Sequence, residues 1–385
     1  MRRRSAHSRV LRAPARSVGA ALAVLLLASC GSESPRASTG AQDRAGAHAP
    51  AVDSTALSKL RSEYAAEPDS ARPIFEKYLP VLGAAPILDV LERSSAGCHA
   101  QSHALGQALY ASARDIGSAL RQCDTRCTSG CMHGAVAAAF GDVTVQVIAD
   151  TMEAFCGAGE MANLHRPGNC AHGLGHALMF VTQGNVERSI DGCLGFAQGP
   201  MQYYCGTGVY MERFMRDSAD AVDASSLGPC DEEALFPAAC YRYQGVEMVK
   251  ALGRVAAKSE CARLGGLQRH GCFHGLGYAA IETVFYDPEQ LRALCDAGDT
   301  DDRVVCVEGT IEKLAEFHEG RARAACAFTD DDLRAVCNQA VERKMYGAGR
   351  PTFALYYEPQ AIARRQASIA AAGGSAGRPS PRHHH

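Results

Sequence analysis

The chain carries fourteen histidines, and they are unevenly spread. Cys98-His99-Ala-Gln-Ser-His103-Ala-Leu and Cys170-Ala-His172-Gly-Leu-Gly-His176-Ala-Leu share a His-x-x-x-His spacing, while Cys131-Met-His133-Gly and Cys272-Phe-His274-Gly-Leu-Gly repeat half of it. On a helix, residues four apart lie on one face with Cβ atoms about 5–6 Å apart. Two imidazoles so placed can share one metal ion, and imidazole suits zinc, copper, iron or nickel. The competing reading is structural: a histidine just after a helix start can satisfy turn backbone that the helix leaves unpaired. Against it, other segments of the same pattern carry Thr207, Arg242 and Glu308 at the equivalent place, so histidine is placed selectively. Glu212, Glu247, Glu282 and Glu312 occupy related positions and are candidate additional ligands, the alternative being solvated helix residues. Met211 and Met215 have spacing fit for copper(I), although packing is the commoner use of such a pair. No Cys-x-x-Cys-His occurs, which excludes covalent c-type haem and leaves a transition metal or non-covalent haem as the expected cofactor classes.

The elements that must position these side chains are marked by cysteine. One type opens an Ala/Gly-rich apolar segment: Cys98, Cys131, Cys170, Cys205, Cys240, Cys272 and Cys306, recurring every 32 to 39 residues. A second type follows each opener by 20 to 25 residues: Cys123, Cys156, Cys193, Cys230, Cys261, Cys295 and Cys326, with Cys337 closing the series. A period near 34 is what two helices and two turns require. Strand-like alternation is scarce. The pattern predicts an all-α fold, a disulfide-stapled α-solenoid of about seven helical hairpins over residues 95–346. Cys272 to Val284 is expected to be one helix, with Asp287 capping a second that ends at Cys295, and Thr329-Asp330 capping a last helix through Val341. Each second-type cysteine then ends one hairpin close to the next opener. This predicts Cys156–Cys170, Cys193–Cys205, Cys230–Cys240, Cys261–Cys272, Cys295–Cys306 and Cys326–Cys337. By analogy Cys123 pairs with Cys131, which leaves Cys98 and Cys127 for each other. Residues 53–94 hold three short helical segments expected to cap the first repeat. Residues 347–385 are expected to be an extension with a disordered tail.

The first thirty residues have a different character. Arg2, Arg3, Arg4, Arg9, Arg12 and Arg16 precede a short apolar run from Val18 to Ala28, too short to span a bilayer comfortably. The run ends in Leu27-Ala28-Ser29-Cys30, which resembles the lipobox of bacterial lipoproteins. The resemblance implies cleavage after residue 29, acylation of Cys30 and an extracytoplasmic anchor in a bacterial membrane, the outer one if there are two. Residues 30–52, rich in Ser, Gly, Ala, Pro and charge, read as a flexible tether. Outside the cytoplasm, regularly spread cysteines are expected to be disulfides.

Ala104-Leu105-Gly106 with Tyr110, and Leu276-Gly277-Tyr278, resemble helix A of the Sel1-like and tetratricopeptide class of repeats, above all its cysteine-rich exported members. Here the cysteine spacing is longer and most repeats lack the full consensus. The resemblance implies a binding scaffold. Lys plus Arg (39) against Asp plus Glu (42) lacks the basic excess that nucleic-acid binding needs. No nucleophile arrangement, phosphate loop or dinucleotide fingerprint stands out, so catalysis is not the leading expectation. The leading one is a lipid-anchored scaffold at the cell envelope, presenting a concave face to a protein, peptide or glycan. The second is a metal- or haem-binding protein, including an oxidoreductase, centred on His99, His103, His133, His172, His176 and His274. Metabolic labelling with a palmitate analogue should mark the mature protein and not a Cys30→Ala variant. Equal labelling of both would dismiss the anchor.

Overall fold

The structure of the protein is a computed structural model that describes residues 53–94, 98–124, 126–141, 143–157, 166–217, 230, 235–347 and 350–376. The signal segment, Cys30, the tether through residue 52 and the last nine residues lie outside the described residues.

All regular structure among the described residues is helical. Helices α1 (Ser54–Ala66), α2 (Ala71–Leu82) and α3 (Ala84–Ser94) precede the repeats, and α2 and α3 pack on α4 (His99–Ala113). The array continues through α5 (Ile116–Leu120), α6 (Gly130–Phe140), α7 (Val145–Gly157), α8 (Pro167–Val181), α9 (Val186–Cys193), α10 (Gly199–Asp217), α11 (Pro237–Leu252), α12 (Arg254–Arg263), α13 (Gly266–Tyr278), α14 (Ile281–Tyr286), α15 (Gln290–Leu294), α16 (Thr300–Cys326) and α17 (Asp331–Arg343). A last helix, α18 (Pro359–Ala376), follows a short 3-10 turn at Phe353–Leu355. Local chemistry sets many of these boundaries. The Asp53 carboxylate accepts from the Thr55 and Ala56 amides, Asn185 accepts from Arg188, and Asp299 forms a reciprocal capping box with Asp302.

Seven helices, α4, α6, α8, α10, α11, α13 and α16, carry the opener cysteines and pack side by side in chain order. They are enclosed on nearly every side, as the unbroken buried run Gly168–Met179 in α8 shows. The shorter helices between them bury one face only; α12 buries just Ala257 and Cys261. The inner helices approach closely through glycine. A Cβ on Gly208 would collide with the His172 carbonyl of the preceding repeat, and one on Gly277 with the Cys306 carbonyl.

The array curls until its end meets its beginning. Helix α16 touches the 3-10 turn Arg126–Ser129, and Tyr278 and Lys313 of the late repeats share a cavity wall with Cys98 and Cys127 of the first. What a linear stack would leave as a concave groove is therefore an interior. The segment after α17 crosses the ring. Tyr204 Oη donates to the Gly347 carbonyl (2.8 Å), Tyr357 Oη donates to Gln202 Oε1 (2.6 Å), and Arg365 of α18 pairs with Glu187 and Asp191 of α9.

All eight cysteine pairs expected from spacing are bonded, with Cα–Cα distances from 5.1 to 5.8 Å. Several details differ from expectation. Apart from Cys98, which is the N-cap of α4, the openers sit inside their helices: Cys272 is the seventh residue of α13. The helix expected over Cys272–Val284 breaks at Ala279-Ala280, and Asp287 ends α14 instead of capping α15. Asp330 does precede α17, but its carboxylate is spent on Arg292 and Arg303 instead of the helix amides. Within the expected C-terminal extension, helix α18 runs through Gly373-Gly374 to Ala376.

Peptide mapping without reduction should recover these eight linkages and no free thiol among the sixteen cysteines they join. Replacing Cys261 and Cys272 together by alanine should cost about 2–3 kcal/mol in denaturant unfolding. Scrambled linkages in the folded protein would contradict the array.

Candidate metal centre

The second residue after each opener points inward. His133, His172, Thr207, Arg242, His274 and Glu308 follow Cys131, Cys170, Cys205, Cys240, Cys272 and Cys306 by two, and all are buried. In the first repeat His99 takes this role one residue early. One turn further along, His103, His176 and Glu312 form a second inward layer, also buried. The ring is thus lined with polar side chains that the curl of the array removes from water.

Five of the six expected histidines come together. Ligand nitrogens of His99, His103, His133 and His176 all lie within 4.8 Å of one another. His172 joins them, its Nε2 3.2 Å from Nε2 of His176. Imidazole centroids are 4.6 Å apart for His99–His103 and for His133–His172, and 4.8 Å for His103–His176.

The partners of Nδ1 orient the rings. His99 Nδ1 is 3.0 Å from the Cys127 carbonyl, which can only accept. His176 Nδ1 lies 2.9 Å from Glu212 Oε2, again an acceptor. His172 Nδ1 lies 2.8 Å from Thr207 Oγ1, whose proton is already donated to the Tyr204 carbonyl at 2.6 Å. Each Nδ1 therefore faces an acceptor, which directs the Nε2 of each ring inward. The Nε2 atoms of His172 and His176 face each other at 3.2 Å. His99 Nε2 and His103 Nε2 meet at 3.0 Å. His133 is fully buried and neither ring nitrogen has a hydrogen-bond partner.

Four of these imidazoles resist protonation. Burial, followed by the proximity of the other imidazoles, holds His99, His133 and His172 well below the usual histidine range and brings His103 down to about 3. The cluster is a set of imidazole nitrogens converging on one point. In a tetrahedral zinc site with bonds of about 2.0–2.1 Å, ligand nitrogens lie roughly 3.3 Å apart, close to the 3.0 and 3.2 Å of the two contacting pairs, while the four nitrogens as a set lie within 4.8 Å. The Cys127 carbonyl, Thr207 and Glu212 act as the outer partners that orient such ligands.

His274 stands apart. Its ring centroid is 5.4 Å from that of Tyr356, and its Nε2 is 4.0 Å from Glu312 Oε2, too far for a hydrogen bond. Burial and the nearby Arg242 lower it to about 3. Around it lies a buried charge network. Glu312 pairs with Arg343 and Arg350, and Glu308 pairs with Arg343 and accepts from Thr352 (2.7 Å) and Tyr356 (2.5 Å).

The expected carboxylates divide accordingly. Glu212 orients His176; Glu312 neutralises arginines; Glu247 pairs with Lys250 at 2.6 Å; Glu282 lines a cavity. Met211 packs against the core. Thr207, Arg242 and Glu308 entered the sequence argument only as places where histidine was missing, yet they belong to the same inward layer. Cys127, the cysteine outside the repeat pattern, has a left-handed backbone (φ 52°) that directs its carbonyl to His99. No family model, curated protein or solved structure matches the chain.

These shifts set a pH dependence for the metal-free protein. His103 and His274 titrate near 3 when folded and near 6.5 when unfolded, so between those values the unfolded chain binds protons that the fold refuses. Stability is full above pH 6.5 and falls as pH drops through this window, by roughly 2 kcal/mol per such histidine between pH 7 and 5. Urea unfolding at the two pH values checks this. An unchanged midpoint would show the imidazoles to be solvated.

Proposed function

We propose that the protein is a metal-binding protein of the bacterial cell envelope that holds a late first-row transition ion inside a ring of disulfide-clamped helices. Two Nε2 atoms facing each other at 3.2 Å, with both Nδ1 atoms engaged by Thr207 and Glu212, carry the reading. A cation between them would stabilise that contact. Zinc, copper, nickel and iron all accept imidazole. The sixteen cysteines of the array are disulfide-bonded, so the donor set is nitrogen alone.

His99, His103, His133 and His176 would hold the ion, with His172 as a fifth donor at the edge of the cluster. Four imidazoles close a tetrahedral site, which suits tight retention better than hydrolysis, since a hydrolytic ion needs an open position. Haem fits less well. It needs a slot for a macrocycle, and these rings are in van der Waals contact with one another. The inner faces where a groove-bound partner was expected are buried against each other and the C-terminal segment, which favours an internal ligand. Acylation of Cys30 would keep the protein at the membrane surface, and the disulfides require an oxidising compartment there.

Elemental analysis of protein purified from the envelope without added metal should find one transition-metal equivalent per chain. His133→Ala and His176→Ala should each reduce it below a tenth, and Glu212→Gln should weaken binding about 10–100-fold. The absence of stoichiometric metal in the native protein, with no thermal shift on adding zinc, copper, nickel or iron to it, would remove the proposal.

A further inference from the structure

Arg242 is an unbalanced charge at the heart of the fold. Its side chain is 1% exposed, and its Nε and Nη1 have no hydrogen-bond partner. Nη2 reaches only the Met345 thioether, at 3.6 Å. The guanidinium sits 5.1 Å from the ring centroid of Tyr278 and 5.5 Å from that of Tyr243, contacts that spread its charge without neutralising it. Arg343 and Arg350 are matched by Glu308 and Glu312, and the half-buried Arg269 by Asp302, whereas the Lys313 amine rests only on the Tyr278 ring. Among the described residues no carboxylate is paired with Arg242.

The surroundings are prepared for negative charge. The Tyr203 hydroxyl is buried without a partner and lies within the electrostatic reach of both Arg242 and Arg350. Arg350 likewise has Nε and Nη1 free, after giving Nη2 to Glu312. Burial and then the Arg242 charge push the Lys313 amine down to about 7, as expected where positive charge is in excess. A cavity lies on the far side of Tyr278. Tyr278 and Lys313 line a cavity of about 420 Å³, and the Lys313 Nζ rests 3.7 Å from the Tyr278 ring centroid. Arg242 lies against the same tyrosine ring.

We propose that Arg242, with the Tyr203 hydroxyl and the free N–H groups of Arg350, forms an internal site for one small oxyanion, entered from this cavity past Tyr278. A planar guanidinium with two unused N–H directions matches the paired oxygens of a carboxylate or phosphate group. The anion supplies the balancing charge that the protein omits. The site stands independently of the metal centre, because its evidence is the unpaired guanidinium and not the imidazoles.

The test uses the full mature chain stripped of metal, with inorganic phosphate and acetate as probes at constant ionic strength. Thermal denaturation and equilibrium dialysis with labelled probe should show saturable binding of one anion per chain. Preference for phosphate or acetate distinguishes an inorganic oxyanion from a carboxylate ligand. Arg242→Gln should weaken binding at least tenfold with an unchanged helical circular dichroism spectrum, and Tyr203→Phe should weaken it several-fold. If Arg242→Gln fails to fold, Tyr203→Phe decides. Absence of saturable binding of either probe to the wild-type chain overturns the site, as does wild-type affinity in the deciding variant. Retention of anion binding in a His133→Ala, His176→Ala double variant separates this site from the metal proposal.

Discussion

Everything in this molecule turns on the convergence of five buried histidines. Five buried imidazoles are driven together in the interior, and the Nε2 atoms of His172 and His176 meet at 3.2 Å, a contact that the proposed ion would stabilise. Burial disfavours protonation of His99, His103, His133 and His172. The outer partners keep the Nε2 atoms aimed inward, since the Cys127 carbonyl, Thr207 and Glu212 each engage a ring at its Nδ1. Such an arrangement costs several unmet polar interactions, which an unbridged protein has little reason to maintain.

The fold is the device that enforces the convergence. A straight helical array would leave its inward residues on a wet concave surface, where histidines are free to protonate and move apart. Glycine contacts as close as Gly208 on His172 draw the inner helices together, the disulfides lock each hairpin to the next, and the curl brings the last repeat against the first. The segment carrying Tyr346, Arg350 and Tyr356 then crosses the ring, with Tyr346 lying 4.7 Å from His172 between ring centroids. A small-residue, cysteine-rich composition follows from these demands: close packing for the walls, cross-links to hold an interior that is too polar to hold itself.

Much of this was legible in the sequence because cysteine spacing is a one-dimensional record of a repeating three-dimensional contact. The all-α class and all eight pairings followed from it, as did the histidines that meet. Closure was not legible. Whether a repeat array coils openly or shuts depends on the small rotation between successive hairpins, set by packing details such as the carbonyl-to-glycine contacts, and no local motif states it. For the same reason Thr207, Arg242 and Glu308 looked like gaps in a histidine pattern, when they are the remaining members of one inward layer. His274 shows the converse: it shares the motif of His172, but its angular position around the ring puts it among Glu312, Arg242 and Tyr356. The helix break at Ala279-Ala280 was equally hidden, since neither alanine is a breaker by composition.

X-ray absorption spectroscopy on the protein as isolated from its own envelope tests the central claim most directly. The account predicts a metal edge with a nitrogen-only inner shell of four or five scatterers, at about 2.0–2.1 Å for zinc, and the outer-shell pattern of imidazole rings. A shell containing sulfur, one dominated by water or carboxylate oxygen, or no absorbing metal at all would contradict it.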